Sequence, residues 1–162
     1  MDSAVKRIGV LTSGGDAPGM NAAIRAVART CGEFNIECIG IRRGYQGLIN
    51  GDFVPLDFKS VSGLSRRGGT MLYSARSQEF MTDAGRERAL ATCKLLGIDA
   101  LVGIGGDGTF RGLLSLAQAG ISVIGIPGTI DNDIACSSYT IGYETACGTA
   151  TPTFCSSRRG RS

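Results

Sequence analysis

No histidine occurs among the 162 residues, which removes the commonest general base and leaves carboxylate, lysine, tyrosine or cysteine to accept a proton. Six cysteines are present, at 31, 38, 93, 136, 147 and 155, but they form no Cys-x-x-Cys pair and no zinc-ligand spacing. Reduced thiols in a cytoplasmic protein are therefore expected. No apolar run approaches the length of a membrane span, and the charged start, Met1 to Arg7, lacks signal-peptide character. The net charge of +3 is too small and too scattered to suggest nucleic acid as a partner. The one basic cluster, Arg158 to Arg161, reads as a solvated tail. Internal repeats and low-complexity segments are missing too.

What is present in excess is glycine, at 25 residues about twice its average share. It gathers at the ends of apolar runs, where it marks tight turns or loops that meet a ligand. With 43% hydrophobic and 19% charged residues, the chain is long enough for one globular domain or part of a larger one.

Taken in order, Arg7 to Thr12 reads as a strand, followed by the glycine-rich turn Ser13 to Asn21. Asn21 is a good N-cap for a helix over 22–31, which puts Arg25 and Arg29 on one face. Glu37 to Arg42 is a second strand running into a loop, Arg43 to Gly47. Phe53 to Leu56 is a short extended piece whose proline suits a sheet edge. From Thr82 to Leu96, Ala89, Leu90, Cys93 and Leu96 recur at helical spacing, and Gly97 closes the helix. Leu101 to Gly105 is a strand covered on both faces, a helix follows from about Phe110 to Ala119, and Ser122 to Pro127 is the next strand. Alternation of strands and helices predicts an α/β fold, a three-layer αβα arrangement with a Rossmann-like, mostly parallel sheet and helices on both faces.

In such a sheet ligands bind beyond the carboxyl ends of the strands, so the loops at 13–21, 105–109 and 127–133 can converge on one rim. Gly105, Gly106 and Gly108 let backbone N–H groups approach an anion, and Asp107 stands where Mg²⁺ bridging phosphate oxygens would neutralise it. The alternative is a sharp strand-to-helix turn with Asp107 capping the helix. Thr129, Asp131 and Asp133 alternate and would point the same way in an extended segment. Asp131 or Asp133 is then the best base for a substrate hydroxyl; the alternative is an Asx-turn.

Together, Thr12 to Asn21 (TSGGDAPGMN), Gly105 to Thr109 (GGDGT) and Pro127 to Asp133 (PGTIDND) resemble the 6-phosphofructokinases, specifically the N-terminal half of a bacterial-type, ATP-dependent member, over residues 6–147. GGDGT alone also occurs in NAD kinases, an alternative against which PGTIDND argues. The resemblance implies ATP as co-substrate with Mg²⁺ on Asp107, and nucleotide contacts from Gly15, Tyr45, Arg76, Ser77, Gly106, Asp107, Gly108 and Thr109. It further implies fructose 6-phosphate contacts from Thr129, Asp131 and Asp133, with Asp131 as the catalytic base. Small residues at Gly108 and Gly128, where pyrophosphate-dependent relatives carry Asp and Lys, favour ATP as donor. Arg25 and Arg29 match arginines that bind an ADP or phosphoenolpyruvate effector between subunits of a homotetramer, while Phe58 stands where a further effector arginine is common.

Past Cys147 the resemblance ends. Pro152 interrupts an expected helix, so residues 148–162 are read as an atypical, disordered tail such as a truncated or frame-shifted gene product would carry. The alternative to an active kinase is a catalytically incomplete ATP-binding fragment, or a regulatory partner of a full-length subunit.

Overall fold

The structure, a computed structural model, describes residues 5–135 and 137–158. Five strands form one sheet: β1 (Arg7–Thr12), β2 (Glu37–Ile41), β3 (Phe53–Pro55), β4 (Ala100–Gly105) and β5 (Ser122–Pro127). Their order is β3-β2-β1-β4-β5. β1 pairs in parallel with β2 and β4, and β4 with β5. Only β3 runs antiparallel, setting Pro55 opposite Ile39 at the sheet edge where its missing N–H costs nothing. The mostly parallel α/β architecture is thus as the alternation of elements predicts.

Side-chain alternation along the strands divides the core in two. Val10, Cys38, Val102 and Ile104 face α1 (Met20–Glu33), whose Ala23, Ile24, Ala28 and Cys31 close that side. Leu11, Ile39, Ile41 and Leu101 face the opposite layer, built from α2 (Gly44–Asn50), α3 (Asp83–Leu95) and α4 (Asp107–Gln118). All six residues of β4 are buried, as expected for a central strand. β5 is the far edge, and its Ile124 is 60% exposed on the α1 side next to the exposed Phe34.

Several boundaries differ from the sequence reading. Residues 43–47 are mostly not loop: Arg43 takes a left-handed φ of 58° and α2 starts at Gly44, driven by burial of Tyr45, Leu48 and Ile49 rather than by helix propensity. α4 begins at Asp107, three residues before Phe110, because Gly106 is already its extended N-cap residue. α1 begins at Met20 with Gly19 as its N-cap residue, so Asn21 lies inside the first turn and is 2% exposed. Its amide instead donates to Arg67 O (2.9 Å) and Gly68 O (3.2 Å), and its Oδ1 accepts from Met71 N (2.8 Å). Thr82, by contrast, does cap α3, accepting from Gly85 N at 3.1 Å.

The last helix, α5 (Tyr143–Arg158), continues through Pro152 where a disordered tail is read from the sequence. Proline removes one backbone donor, but its fixed φ is itself helical, so it weakens a turn without forbidding it. Residues 159–162 lie outside the described residues. No helix among the described residues is long and apolar enough to cross a membrane.

Candidate active site

β1, β4 and β5 are neighbours, parallel, and empty in the same direction, so the segments following them meet. Ser13 N donates to Ile104 O (3.1 Å), joining the β1 exit to β4, and Gly128 N donates to Gly105 O (3.0 Å), joining the β5 exit to it. Between them opens a cavity of about 850 Å³ lined by all three segments. It is large enough for a ligand of nucleotide size.

Gly105 marks the tightest point of this junction. A Cβ there would fall 2.3 Å from Thr109 Oγ1 and 2.4 Å from Ser13 O. Thr109 Oγ1 itself donates to Ser13 O at 3.0 Å, pinning α4 to the first loop. The first N–H groups of α4 have no helical partner and lie at its positive end, which suits them to phosphate oxygens. Gly106, Asp107, Gly108 and Thr109 all line the cavity, with open space around Gly108. The strand-to-helix turn read as the alternative to a phosphate loop is the same structure, but Asp107 is the first helical residue and not the cap.

The third segment is held open like a bracket. Ile141 N donates to Pro127 O (2.9 Å), and the Thr140 hydroxyl bonds Thr129 O, closing its base. Asn132, at a left-handed φ of 49°, accepts from Thr140 N at 3.2 Å. Thr129 and Asp131 come together: Asp131 N donates to Thr129 Oγ1 (3.2 Å), and that hydroxyl lies 3.4 Å from Asp131 Oδ2. Thr129, Asp131 and Asp133 all line the cavity. A further contact anchors the bracket to α1. A Cβ on Gly19 would lie 1.9 Å from Ile141 O, and one on Gly142 2.2 Å from Gly19 N, so the two glycine backbones touch directly.

The fourth wall comes from the segment leading into α3. Thr12 Oγ1 bonds Thr70 Oγ1 and Tyr73 O, each at 2.9 Å, and with the Asn21 clasp this sets residues 67–76 over the end of β1. Arg76 and Ser77 line the cavity; Ser77 Oγ donates to Gln46 Oε1 at 2.8 Å and accepts from Phe80 N. Gly15 is exposed at the cavity mouth. Tyr45 also reaches the wall, but as a buttress: its ring stacks on Phe80 with centroids 4.1 Å apart, and its hydroxyl donates to Thr109 O at 2.5 Å. Burial pushes its phenol pKa up, so it stays protonated and donating.

Sequence reasoning missed Arg86 and Arg111, which also line the cavity. Arg86 pairs with Asp83 and donates to Met81 O, and Arg111 Nη2 lies 2.9 Å from Asp107 Oδ2. The i, i+4 spacing of Asp107 and Arg111 was a legible signal once α4 is started at 107. Arg25 and Arg29 lie on α1 and do not line the cavity; the Arg29 guanidinium sits 5.5 Å from the centroid of the Phe58 ring. Among the cysteines, Cys31, Cys38 and Cys93 are buried thiols, and burial raises Cys93 to about 11. Cys136 lies outside the described residues.

No group of three or more His, Cys, Asp or Glu that could hold a metal occurs among the described residues. The carboxylate oxygens on the cavity wall, from Asp16, Asp107, Asp131 and Asp133, are hard donors, but no three of these side chains gather closely enough to cage an ion alone. That donor set suits Mg²⁺ arriving with phosphate oxygens, of which one or two carboxylates complete the shell.

Fold and cavity define a Rossmann-like α/β domain with a cavity at the carboxyl edge of its mostly parallel sheet, where ligands bind in such folds. A profile described as "Phosphofructokinase" matches residues 7–159, and the chain belongs to that family. It is 58% identical over 147 residues to ATP-dependent 6-phosphofructokinase 1 of Thermus thermophilus, covering 90% of this chain and 46% of that protein. The ATP-dependent 6-phosphofructokinase of Halothermothrix orenii is likewise 58% identical, over 146 residues and 44% of its length. The chain thus spans somewhat under half of these relatives. Among solved structures, Pichia pastoris phosphofructokinase in the T-state superposes with a TM-score of 0.83 at 36% identity, covering 88% of this chain and 17% of that one. A pyrophosphate-dependent phosphofructokinase from Nitrosospira multiformis shares the fold, with a TM-score of 0.77 at 22% identity over 86% of this chain and 38% of its own.

Proposed function

We propose that this chain is the ATP-handling half of a 6-phosphofructokinase, which transfers the terminal phosphoryl group of ATP to the 1-hydroxyl of fructose 6-phosphate and releases ADP and fructose 1,6-bisphosphate. The observation that carries the reading is the meeting of three strand exits in one cavity, with glycine-rich backbone and a helix N-terminus on one wall and Thr129, Asp131 and Asp133 on another.

In this reading the N–H groups of Gly106 to Thr109 hold the phosphates, with Gly15, Arg76 and Ser77 closing the nucleotide side. Tyr45 keeps the first turn of α4 in place through its bond to Thr109 O. Asp107 holds Mg²⁺, which when bound neutralises charge on the phosphate oxygens. Thr129 and Asp131 receive the sugar, and Asp133 assists on the metal side. Asp131 accepts the proton of the 1-hydroxyl as that oxygen bonds to phosphorus and the bond from phosphorus to the bridging oxygen of ADP breaks. Positioning and charge neutralisation supply most of the rate in such transfers. A glycolytic kinase of this kind works in the cytoplasm. Arg25 and Arg29, paired cations on one face of α1, suit the phosphate of an ADP or phosphoenolpyruvate effector, and the assembled enzyme is a homotetramer.

The test is turnover of fructose 6-phosphate with Mg-ATP, coupled to product consumption, run on the purified chain beside Asp131→Ala with ATP binding titrated in parallel. Turnover that vanishes in the variant while ATP binding survives supports the assignment. Turnover retained in Asp131→Ala refutes the base, and absence of ATP binding refutes the nucleotide site.

A further inference from the structure

Three guanidinium groups line the cavity, and they are differently engaged. Arg86 is committed to Asp83 and to Met81 O on its own segment. Arg76 is exposed and makes no ion pair among the described residues. Arg111 alone is paired with a carboxylate of the cavity wall, Asp107, at 2.9 Å. Residues 107 and 111 lie one turn apart on the same face of α4, and the two side chains are 60% and 80% exposed.

We propose that Arg111 is a displaceable counter-cation for Asp107, competing with the divalent cation that travels with the nucleotide, and so sets how strongly nucleotide binding depends on metal. The proposal rests on the nucleotide reading given above. The guanidinium holds one of the two carboxylate oxygens open to a divalent cation and sets a positive charge beside the other, and an exposed pair of this kind holds by a factor of only about two to five, so an incoming ion can displace it. A metal-free triphosphate, by contrast, meets a wall whose carboxylate is already neutralised and whose arginine can turn towards the phosphate. Arg111 therefore favours the metal-free nucleotide and opposes the metal complex. Like charges a few ångströms apart repel even in water, so the guanidinium continues to weigh against the ion after it is displaced.

Isothermal titration of the purified chain with ATP in EDTA and with Mg-ATP, for wild type, Arg111→Gln and Arg111→Lys, tests this. Gln keeps a polar end and nearly the same helix propensity, on a shorter side chain, without the charge. Removing the charge should weaken metal-free ATP and tighten Mg-ATP by about threefold each, so that the ratio of the two affinities rises about tenfold. Arg111→Lys should stay within about twofold of the wild-type ratio, since it keeps the charge. A ratio in Arg111→Gln equal to wild type, or both affinities falling together, overturns the competition while leaving the nucleotide site intact. Binding by wild type in neither condition overturns the nucleotide reading itself, and this proposal with it.

Discussion

Replacing Asn21 separates two roles that a sequence assigns to the same residue. As a helix cap, Asn21→Ala would cost about 1 kcal/mol and Asn21→Ser would cost almost nothing, because serine caps equally well. As the buried clasp seen here, the amide satisfies Met71 N, Arg67 O and Gly68 O. Arg67 and Gly68 are exposed, so their carbonyls can turn to water, while the Met71 N–H is left with no partner in a half-buried segment. A stranded donor costs about 1–3 kcal/mol and each lost bond about 1 kcal/mol net, which puts Asn21→Ala near 2–3 kcal/mol. For a protein of this size that is a fall in Tm of roughly 4–12 °C. Asn21→Ser should fall by nearly as much, since a hydroxyl on that Cβ is too short to replace both arms of the amide. Thr12 still holds Thr70 and Tyr73, so the segment should loosen rather than detach, freeing the backbone around the already exposed Arg66, Arg67 and Arg76 for trypsin cleavage before the rest of the chain is cut. Urea melts and limited proteolysis give both readings. Wild-type stability in Asn21→Ser, with an unchanged cutting pattern, would refute the clasp and reinstate the cap.

Gly108 has open space around it at the cavity wall, so Gly108→Asp should fold normally yet weaken ATP by about tenfold or more, because a second carboxylate then faces the phosphates in the first turn of α4; a titration showing unchanged affinity would place the phosphates elsewhere. Asp99 accepts from the backbone N–H groups of Arg7 (2.9 Å) and Lys6 (2.7 Å), which hold its carboxyl below the ordinary carboxylate value. A lowered folded-state pKa contributes stability above the unfolded value that is lost as pH falls through the folded one. Asp99→Asn should therefore be less stable than wild type at neutral pH, with the gap closing below about pH 4; a gap independent of pH would refute the contribution of that carboxylate.

The parallel sheet was legible because β1, β2, β4 and β5 are apolar runs that each end in a turn signal, and the three loops because their glycines sit where those runs stop. What escaped is local structure governed by distant partners. α2 has two glycines in seven residues and little intrinsic preference for helix; it forms because Tyr45, Leu48 and Ile49 are buried beneath the sheet. Asn21 has a capping residue's chemistry, and only the position of residues 67–71 gives its amide other partners. Tyr45 lines the cavity, but its stacking on Phe80 and its bond to Thr109 O depend on a ring 35 positions away and a main-chain carbonyl 64 positions away. The buried face of α3 was clear from periodicity, whereas the helical course of residues 148–158 was hidden by a proline whose cost is real but local.

Gly19 and Gly142 meet backbone to backbone, with no side chain between them to yield. Where side chains separate two elements, a small displacement of one can be taken up by rotamer changes; where main chains abut, it must be passed on. The opening turn of α1 and the foot of the segment bearing Asp131 therefore behave at this point as a fulcrum. A tilt or slide of α1, on which Arg25 and Arg29 lie, would press directly on the segment that follows Asp131 at the rim of the cavity.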